Sequence, residues 1–243
     1  MASLAERARV LEALGRNPAL ASVAPEDLVA LAGLASVRSL RPGERAGSEG
    51  AGAQAVCLVL GGCLRISSVS GEGREFVYEM LGPGAFHGLG NVLRASVQEA
   101  QAHAAGRASV ATIEAKGLRR MLGERPHLWP SIMAILQGRV VTALSLLRGQ
   151  GASLRQRIAH RLLAQALSCG KALAGGRPVL RLSQADLAQM LGASRSRVNK
   201  ALADLEGMGL LRAGYRTIEL LQPDGLRRLA QEEAGAAEVR RAA

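Results

Sequence analysis

A chain of 243 residues is long enough for two ordinary domains, each with its own core. Apolar residues make up 48% of it but aromatic residues only 2%, so the cores must be built from Leu, Val, Ile and Ala; the longest apolar runs, such as 55–60, fall far short of the roughly 20 residues that a membrane span needs. The formal net charge is +11, and the stretch Ala5-Glu6-Arg7-Ala8-Arg9 lacks a signal-peptide pattern, so a cytoplasmic protein with no membrane contact is expected.

Residues 4–36 carry helical apolar spacing (Leu4, Ala8, Leu11, Leu14; then Leu28, Leu31, Ala32), and Pro25-Glu26-Asp27 opens the second segment as Pro and acids do in a first helical turn. From 37 to 115 the texture changes to brief strand-like runs, Val56–Leu60, Leu64–Ser67, Phe76–Leu81 and Ser109–Ile113. Gly-rich turns separate them, which argues for a sandwich or barrel. Cys57, Cys63 and Cys169 have no metal-type spacing, so buried inert thiols are expected rather than disulfides, zinc or an iron–sulfur cluster.

Between Pro126 and Gly149 the pattern is helical again. Trp129, Met133, Leu136, Val140, Ala143 and Leu147 follow steps of 4, 3, 4, 3 and 4, a heptad seam suited to joining two subunits, although an ordinary intrachain helix would also use it. Leu128, Ile132, Ile135 and Leu144 widen the apolar face. Gly138 interrupts the helix where a bend or a close helix approach is expected, and Gly149-Gln150-Gly151 reads as a hinge. The remainder is helical to about 170, then a turn at Gly175-Gly176-Arg177-Pro178, a strand at Val179–Leu182, helices at 184–191 and 194–206, and strands Leu210–Arg212 and Thr217–Leu221 around Ala213-Gly214.

The charge is concentrated in this last part. Residues 139–228 hold 15 Lys or Arg against 5 Asp or Glu, whereas residues 1–138 hold 14 against 12. A basic surplus in one domain suits phosphate neutralisation; a generic solubilising surface is the plainer alternative. Within it, Leu187 and Leu191 face inward, Gly192 permits a sharp turn, Ser194 caps the next helix, and Val198, Leu202 and Leu205 recur at helical spacing. The first turns of that helix then present Arg195, Ser196, Arg197, Asn199 and Lys200, the layout of a recognition helix: Arg and Lys suit guanine, and Asn suits adenine. Ser183 and Arg216 complete the expected DNA-contacting set, and Arg212, Tyr215 and Arg216, at the tip of the wing strands, fit phosphate contacts along the groove edge.

On these residues the chain resembles the CRP/FNR family of bacterial transcription regulators over almost its whole length. Ser194-Arg195-Ser196-Arg197-Val198-Asn199-Lys200-Ala201-Leu202, Leu205-Glu206 and Gly209-Leu210-Leu211 are similar to the family's recognition helix and wing, and Arg41-Pro42-Gly43-Glu44, Glu49-Gly50 and Leu81-Gly82-Pro83-Gly84-Ala85-Phe86 to its β domain. The resemblance implies an α+β fold in four parts. These are a cyclic-nucleotide-binding-like jelly roll with N-terminal helices (1–125), a long dimerisation helix (126–149), a winged helix-turn-helix (150–228) and a tail (229–243). It also implies a homodimer on double-stranded DNA, with RNA polymerase as a further partner, and an effector pocket near Phe86, His87, Gly88, Leu89, Gln98, Ala143 and Leu144.

Departures from the family pattern bear on mechanism. Members that bind cyclic AMP follow the Phe-x-Gly turn with a Glu for the ribose and an Arg-Ser pair for the phosphate. Here Leu89 follows Gly88, and Gln98-Glu99-Ala100 stands at the later position, so cyclic AMP is disfavoured and the effector is another molecule or none. Ala143-Leu144 replaces the hydroxyl side chains that contact the base, and residues 1–56 hold no Cys of an oxygen-sensing cluster. His87 lies where some members bind haem, but a lone His is not a haem or metal site, and His103, His127 and His160 are scattered. Ser196 stands where many members read cytosine with Glu, so discrimination at that base pair should be relaxed or shifted. No catalytic constellation stands out and no enzyme is expected. The rivals are a cyclic-nucleotide-binding-like sensor acting through a protein partner, and a cupin-type enzyme needing metal ligands inside the barrel.

Overall fold

The computed structural model describes residues 3–47, 55–73, 75–93, 100–148, 152–168 and 177–231. Gln98, Cys169, the expected hinge at 149–151, Gly175-Gly176 and the tail from 232 lie outside them, as does the side chain of Leu147. Two compact units divide the chain: Met1–Arg74 with Tyr78–Gly138, and Arg139–Ala243 with Glu75–Val77.

In the first unit, helix α1 (Leu4–Gly15) opens on a capping box, in which Ser3 Oγ accepts from the Glu6 amide and Glu6 Oε2 accepts from the Ser3 amide at 2.7 Å. Helix α2 (Pro25–Gly33) starts on its proline. Among the described residues seven strands follow: β1 (Ala35–Leu40), β2 (Ala55–Gly61), β3 (Leu64–Val69), β4 (Glu75–Leu81, of which Glu75–Val77 group with the second unit), β5 (Phe86–His87), β6 (Gln101–Ala104) and β7 (Ala108–Glu114). They form an antiparallel sheet ordered β1-β7-β2-β5 and a second sheet ordered β4-β3-β6. The four expected strands are present and slightly longer. Strands β1, β5 and β6 and helix α3 (Ala115–Glu124) were not separated from loops by their pattern, and β1 occupies positions expected to end the helical segment.

Strand β2 explains why the two layers form. Its run Ala55-Val56-Cys57-Leu58-Val59 is buried throughout, because one face meets the second sheet and the other meets helices. Cys57 and Val59 pack with Leu40, Leu64, Ile66, Leu81 and Val110 between the sheets. Val56 and Leu58 pack with Val10, Leu14, Phe86, Ile113, Leu118 and Ile132 beneath α1, α3 and the first turns of helix α4 (Trp129–Arg148). Burying one such Leu contributes roughly 2 kcal/mol.

The entry to α4 is fastened electrostatically. Asp27, in the first turn of α2 and only 4% exposed, accepts from Arg125 Nη1 and, at 2.7 Å, from His127 Nε2. The hydrogen bond from His127 and then that from Arg125 hold its carboxyl below the usual carboxylate range, against the opposing effect of burial. A depressed carboxylate contributes stability above its unfolded-state pKa and loses it as pH falls through the folded value.

The second unit continues α4 from Arg139 and adds α5 (Leu154–Ser168), β8 (Val179–Leu180), α6 (Gln184–Leu191), α7 (Arg195–Gly207), β9 (Leu211–Gly214), β10 (Thr217–Leu220) and a helix α8 over 223–231. Its antiparallel sheet runs β8-β10-β9. Helix α8 carries ordered structure past the expected domain edge at 228: Gln156 Nε2 donates to the Leu229 carbonyl at 3.5 Å and His160 Nε2 to the Ala230 carbonyl at 3.1 Å. Helix α4 passes through Gly138 without interruption.

Asp27→Asn should lower the melting temperature at neutral pH, and its deficit relative to the parent chain should shrink as the pH is taken below the ordinary carboxylate range. Thermal melts across that pH series check it; a deficit independent of pH would assign the effect to packing.

Candidate nucleic-acid interface

The helix-turn-helix is held from both ends. Ser183 caps α6, its Oγ accepting from the Asp186 amide at 3.0 Å and donating to Asp186 Oδ2 at 2.5 Å. Its hydroxyl therefore already has a structural task, and a phosphate contact there would fall to the start of the α6 backbone. Gly192 ends α6 at φ +57°, a left-handed conformation that costs a side-chain-bearing residue about 1 kcal/mol. Arg157 Nη2 reaches from α5 to the last α6 carbonyl, that of Leu191. Ser194 caps α7 by accepting from the Arg197 amide at 3.4 Å.

Burial then sets how α7 is rotated. Val198, Ala201, Leu202 and Leu205 are buried, leaving Arg195, Ser196, Arg197, Asn199 and Lys200 exposed. Arg195 and Asn199 form one i,i+4 row and Ser196 and Lys200 the next, so donors and cations lie side by side on the open face. Among the described residues none of these side chains is held by an acidic group. Such a face can accept phosphates and base edges without first breaking an internal ion pair.

The wing is tied to the same helix. Glu206, in the last turn of α7, accepts from the Ala213 amide through Oε1 at 3.2 Å. Glu219 on β10 accepts from Arg212 Nη1 at 3.4 Å and pairs with Arg177 Nη1 at 4.0 Å. The tip falls on Tyr215-Arg216, as expected, whereas Ala213-Gly214, expected between the strands, belongs to β9, because Gly214 still pairs with Thr217 in the ladder. A Cβ at Gly214 would meet Thr217 Oγ1 at 2.7 Å, so a larger residue there would require the Thr217 hydroxyl to move.

Of the expected effector residues, Phe86 and His87 on β5 face opposite interiors. Phe86 stands opposite Leu58, and both, with Leu89, belong to the core beneath the helices; strand alternation turns His87 the other way, opposite Cys57. One row thus crosses the sheet, Ser36, Thr112, Cys57 and His87, and was not legible because β1 and β5 carry little strand signal. Burial pushes the Cys57 thiol up, partly countered by a hydrogen bond with Thr112. Gly88 is required for packing, since a Cβ there would lie 2.5 Å from the Ala55 carbonyl. Ala143 and Leu144 are exposed on α4. Among the described residues no three His, Cys, Asp or Glu side chains are grouped to hold a metal ion, and no helix is long and apolar enough to cross a membrane.

On the seam of α4, Met133 and Val140 are exposed with Ala143, while Trp129 and Leu136 pack partly against the β-domain core. The open apolar surface therefore runs over Met133, Val140, Val141 and Leu144.

A two-layer β unit, a long helix and a winged helix-turn-helix with an open basic face define a DNA-binding regulator with a sensor-type domain. Residues 37–125 match the model of the cyclic nucleotide-binding domain, and residues 156–229 that of the Crp-like helix-turn-helix domain. The chain belongs to the CRP/FNR family of transcription regulators. It is 28% identical over 231 residues to the HTH-type transcriptional regulator Cmr of Mycobacterium tuberculosis, spanning 95% of this chain and 90% of that one. It is 25% identical to the CRP-like cAMP-activated global transcriptional regulator of the same organism, over 90% of this chain and 99% of that one. The structure of FixK2 from Bradyrhizobium japonicum is similar with a TM-score of 0.66 and 25% identity, covering 80% of this chain and 96% of that one.

Ser194→Ala should cost roughly 1 kcal/mol of stability of the second unit. Denaturant unfolding followed by helical circular dichroism checks it, and an unchanged midpoint would show that the cap contributes nothing.

Proposed function

We propose that the chain acts as a cytoplasmic, non-enzymatic homodimer that regulates transcription by placing its two α7 helices in successive major grooves of a near-palindromic site. Two-fold symmetry would space the half-sites by about 34 Å. Arg195 and Lys200 would read guanine O6 and N7, Asn199 would read adenine, and Arg197, Ser194 and the α7 amides would hold phosphates, with Ser183 at the start of α6 and Arg216 on the wing. The observation that carries this is the open basic face of α7: Val198, Ala201, Leu202 and Leu205 are buried in the core while Arg195, Ser196, Arg197, Asn199 and Lys200 are exposed.

Dimerisation is assigned to α4, within a division into an effector domain (1–125), a dimer helix (126–149) and a DNA-binding domain from 150. Met133, Val140 and Leu144 are each at least half exposed in the single chain, an arrangement that leaves apolar area to be covered by a partner helix. The Cβ position of Gly138 meets nothing within 4 Å, which suits a close approach there. The effector, if one is used, is a molecule other than cyclic AMP. The positions at which the family's Arg-Ser pair is expected are Gln98-Glu99-Ala100 and hold no cation, although a relative is cAMP-activated. Contact with RNA polymerase is part of the same reading.

Arg195→Ala and Lys200→Ala should each lose about 1–3 kcal/mol of specific binding while leaving non-specific binding nearly intact. Fluorescence anisotropy on a selected duplex at fixed salt checks this; unchanged affinity in the double variant would instead favour a sensor working through a protein partner. Val140→Asp with Leu144→Asp should shift the chain to a monomer in sedimentation velocity without loss of helical signal, and weaken binding to the full palindrome more than to a half-site.

A further inference from the structure

Arg119, midway along α3, is committed to backbone partners. Its Nε donates to the Val92 carbonyl at 2.9 Å and its Nη2 to the Asn91 carbonyl at 2.8 Å. Both carbonyls lie towards the end of the short helical turn Leu89–Leu93 that follows β5. Carbonyls at a helix end lack a partner within the helix, and a guanidinium meets two of them at once with complementary charge. The turn is tied to β2 as well. Asn91, 5% exposed, donates from Nδ2 to the Ala55 carbonyl at 2.9 Å, and Gly88 lies against that same carbonyl with no room for a Cβ. The segment 88–93 is thereby held between a strand and a helix by hydrogen bonds that its own chain supplies.

What is held there bears on α4. Leu89 and Val92 are buried in one core with Leu118 and Leu122 of α3 and with Leu128 and Ile132 at the start of α4. Protein interiors are close-packed, so side chains that enter one core from 89–93 and from α4 must settle together. We propose that Arg119 is a positioning residue for DNA recognition. It locks 89–93 onto α3, and through the shared core that lock sets how α4 is seated, and so the separation at which a dimer presents its two α7 helices. The role needs the guanidinium fork, because Nε and Nη2 serve two neighbouring carbonyls together, whereas an ammonium offers only a point charge. This rests on the α4 dimer and the α7 duplex reading, and it adds a residue that lies on neither helix.

The experiment uses the full-length chain. A half-site is first selected from a randomised duplex library by the unaltered protein. It is then placed twice on duplexes that differ only in the number of base pairs between the two copies, and affinities are measured at one salt concentration. The unaltered chain should prefer one spacing by roughly tenfold over a spacer one base pair longer or shorter. R119M removes both donors and keeps the apolar stem. It should bind a single half-site as the unaltered chain does, speed amide exchange within 89–93, and reduce the spacing preference to about twofold. R119K, which keeps the charge without the fork, should fall between the two. A purely structural role for Arg119 would lower the melting temperature and leave the spacing preference intact. Equal affinity of the unaltered chain across spacings, or full preference in R119M, would overturn the proposal and leave the α7 reading standing; should R119M not fold, full preference in R119K does the same. Failure to select any half-site would remove the α7 reading instead, and a monomer on the paired site in sedimentation velocity would remove the dimer.

Discussion

Burial of Val198, Leu202 and Leu205 is the contact on which the basic surface depends. These side chains fix the rotation of α7 about its axis, and a helix offers only one face opposite a given apolar stripe. Arg195, Asn199, Ser196 and Lys200 are presented together because the core has claimed the other side. The constraint extends outward through polar contacts rather than further apolar area. Ser194 and Gly192 fix where α7 begins, Arg157 holds the end of α6, and Glu206 holds the wing. Each of these uses a backbone group that would otherwise be left unsatisfied at a helix end or strand edge.

The β unit shows how one strand can divide a domain into two interiors. Because β2 is covered on both faces, its alternate residues belong to different cores, and neighbours in sequence are separated by the thickness of the sheet. Phe86 and His87 follow the same rule on β5. A ligand entering between the sheets would meet the His87 and Cys57 face, while Phe86 and Leu89 would feel it only through the backbone. Leu128 and Ile132 at the start of α4 are buried on the Phe86 side of that sheet.

What was legible in the sequence follows from how each element is stabilised. Helices α6 and α7 were placed within a residue because caps, a glycine turn and an apolar stripe coincide, and these are local. Strand β2 was legible as an unbroken apolar run. Strands β1 and β6 are half exposed and chemically mixed, so their identity comes from ladder partners distant in the chain, Ser109 and Thr112 for β1 and Leu64 and Ile66 for β6. The end of β9 was misjudged for a related reason: Gly214 looks like a turn residue, but it pairs with Thr217 in the ladder. On α4 a single heptad frame assigned Trp129 and Leu136 to a partner helix, whereas they pack in part on the β-domain core. Spacing identifies an apolar face, and only the tertiary contact decides which stripe of it is already occupied.

Helix α4 is where these observations converge. Its first turns belong to the core of one unit, and the division between units falls within it at Gly138 and Arg139. Asp27 grips Arg125 and His127 just ahead of those turns, so the helix starts from a point fixed by charge as well as by packing. A continuous helix transmits rotation and translation well and bending poorly. On the proposed dimer, a signal that changes how its first turns seat would change how its exposed stripe, Met133, Val140 and Leu144, meets the partner helix. Such a signal, where one is used, can regulate only by the difference between its affinities for the two seatings.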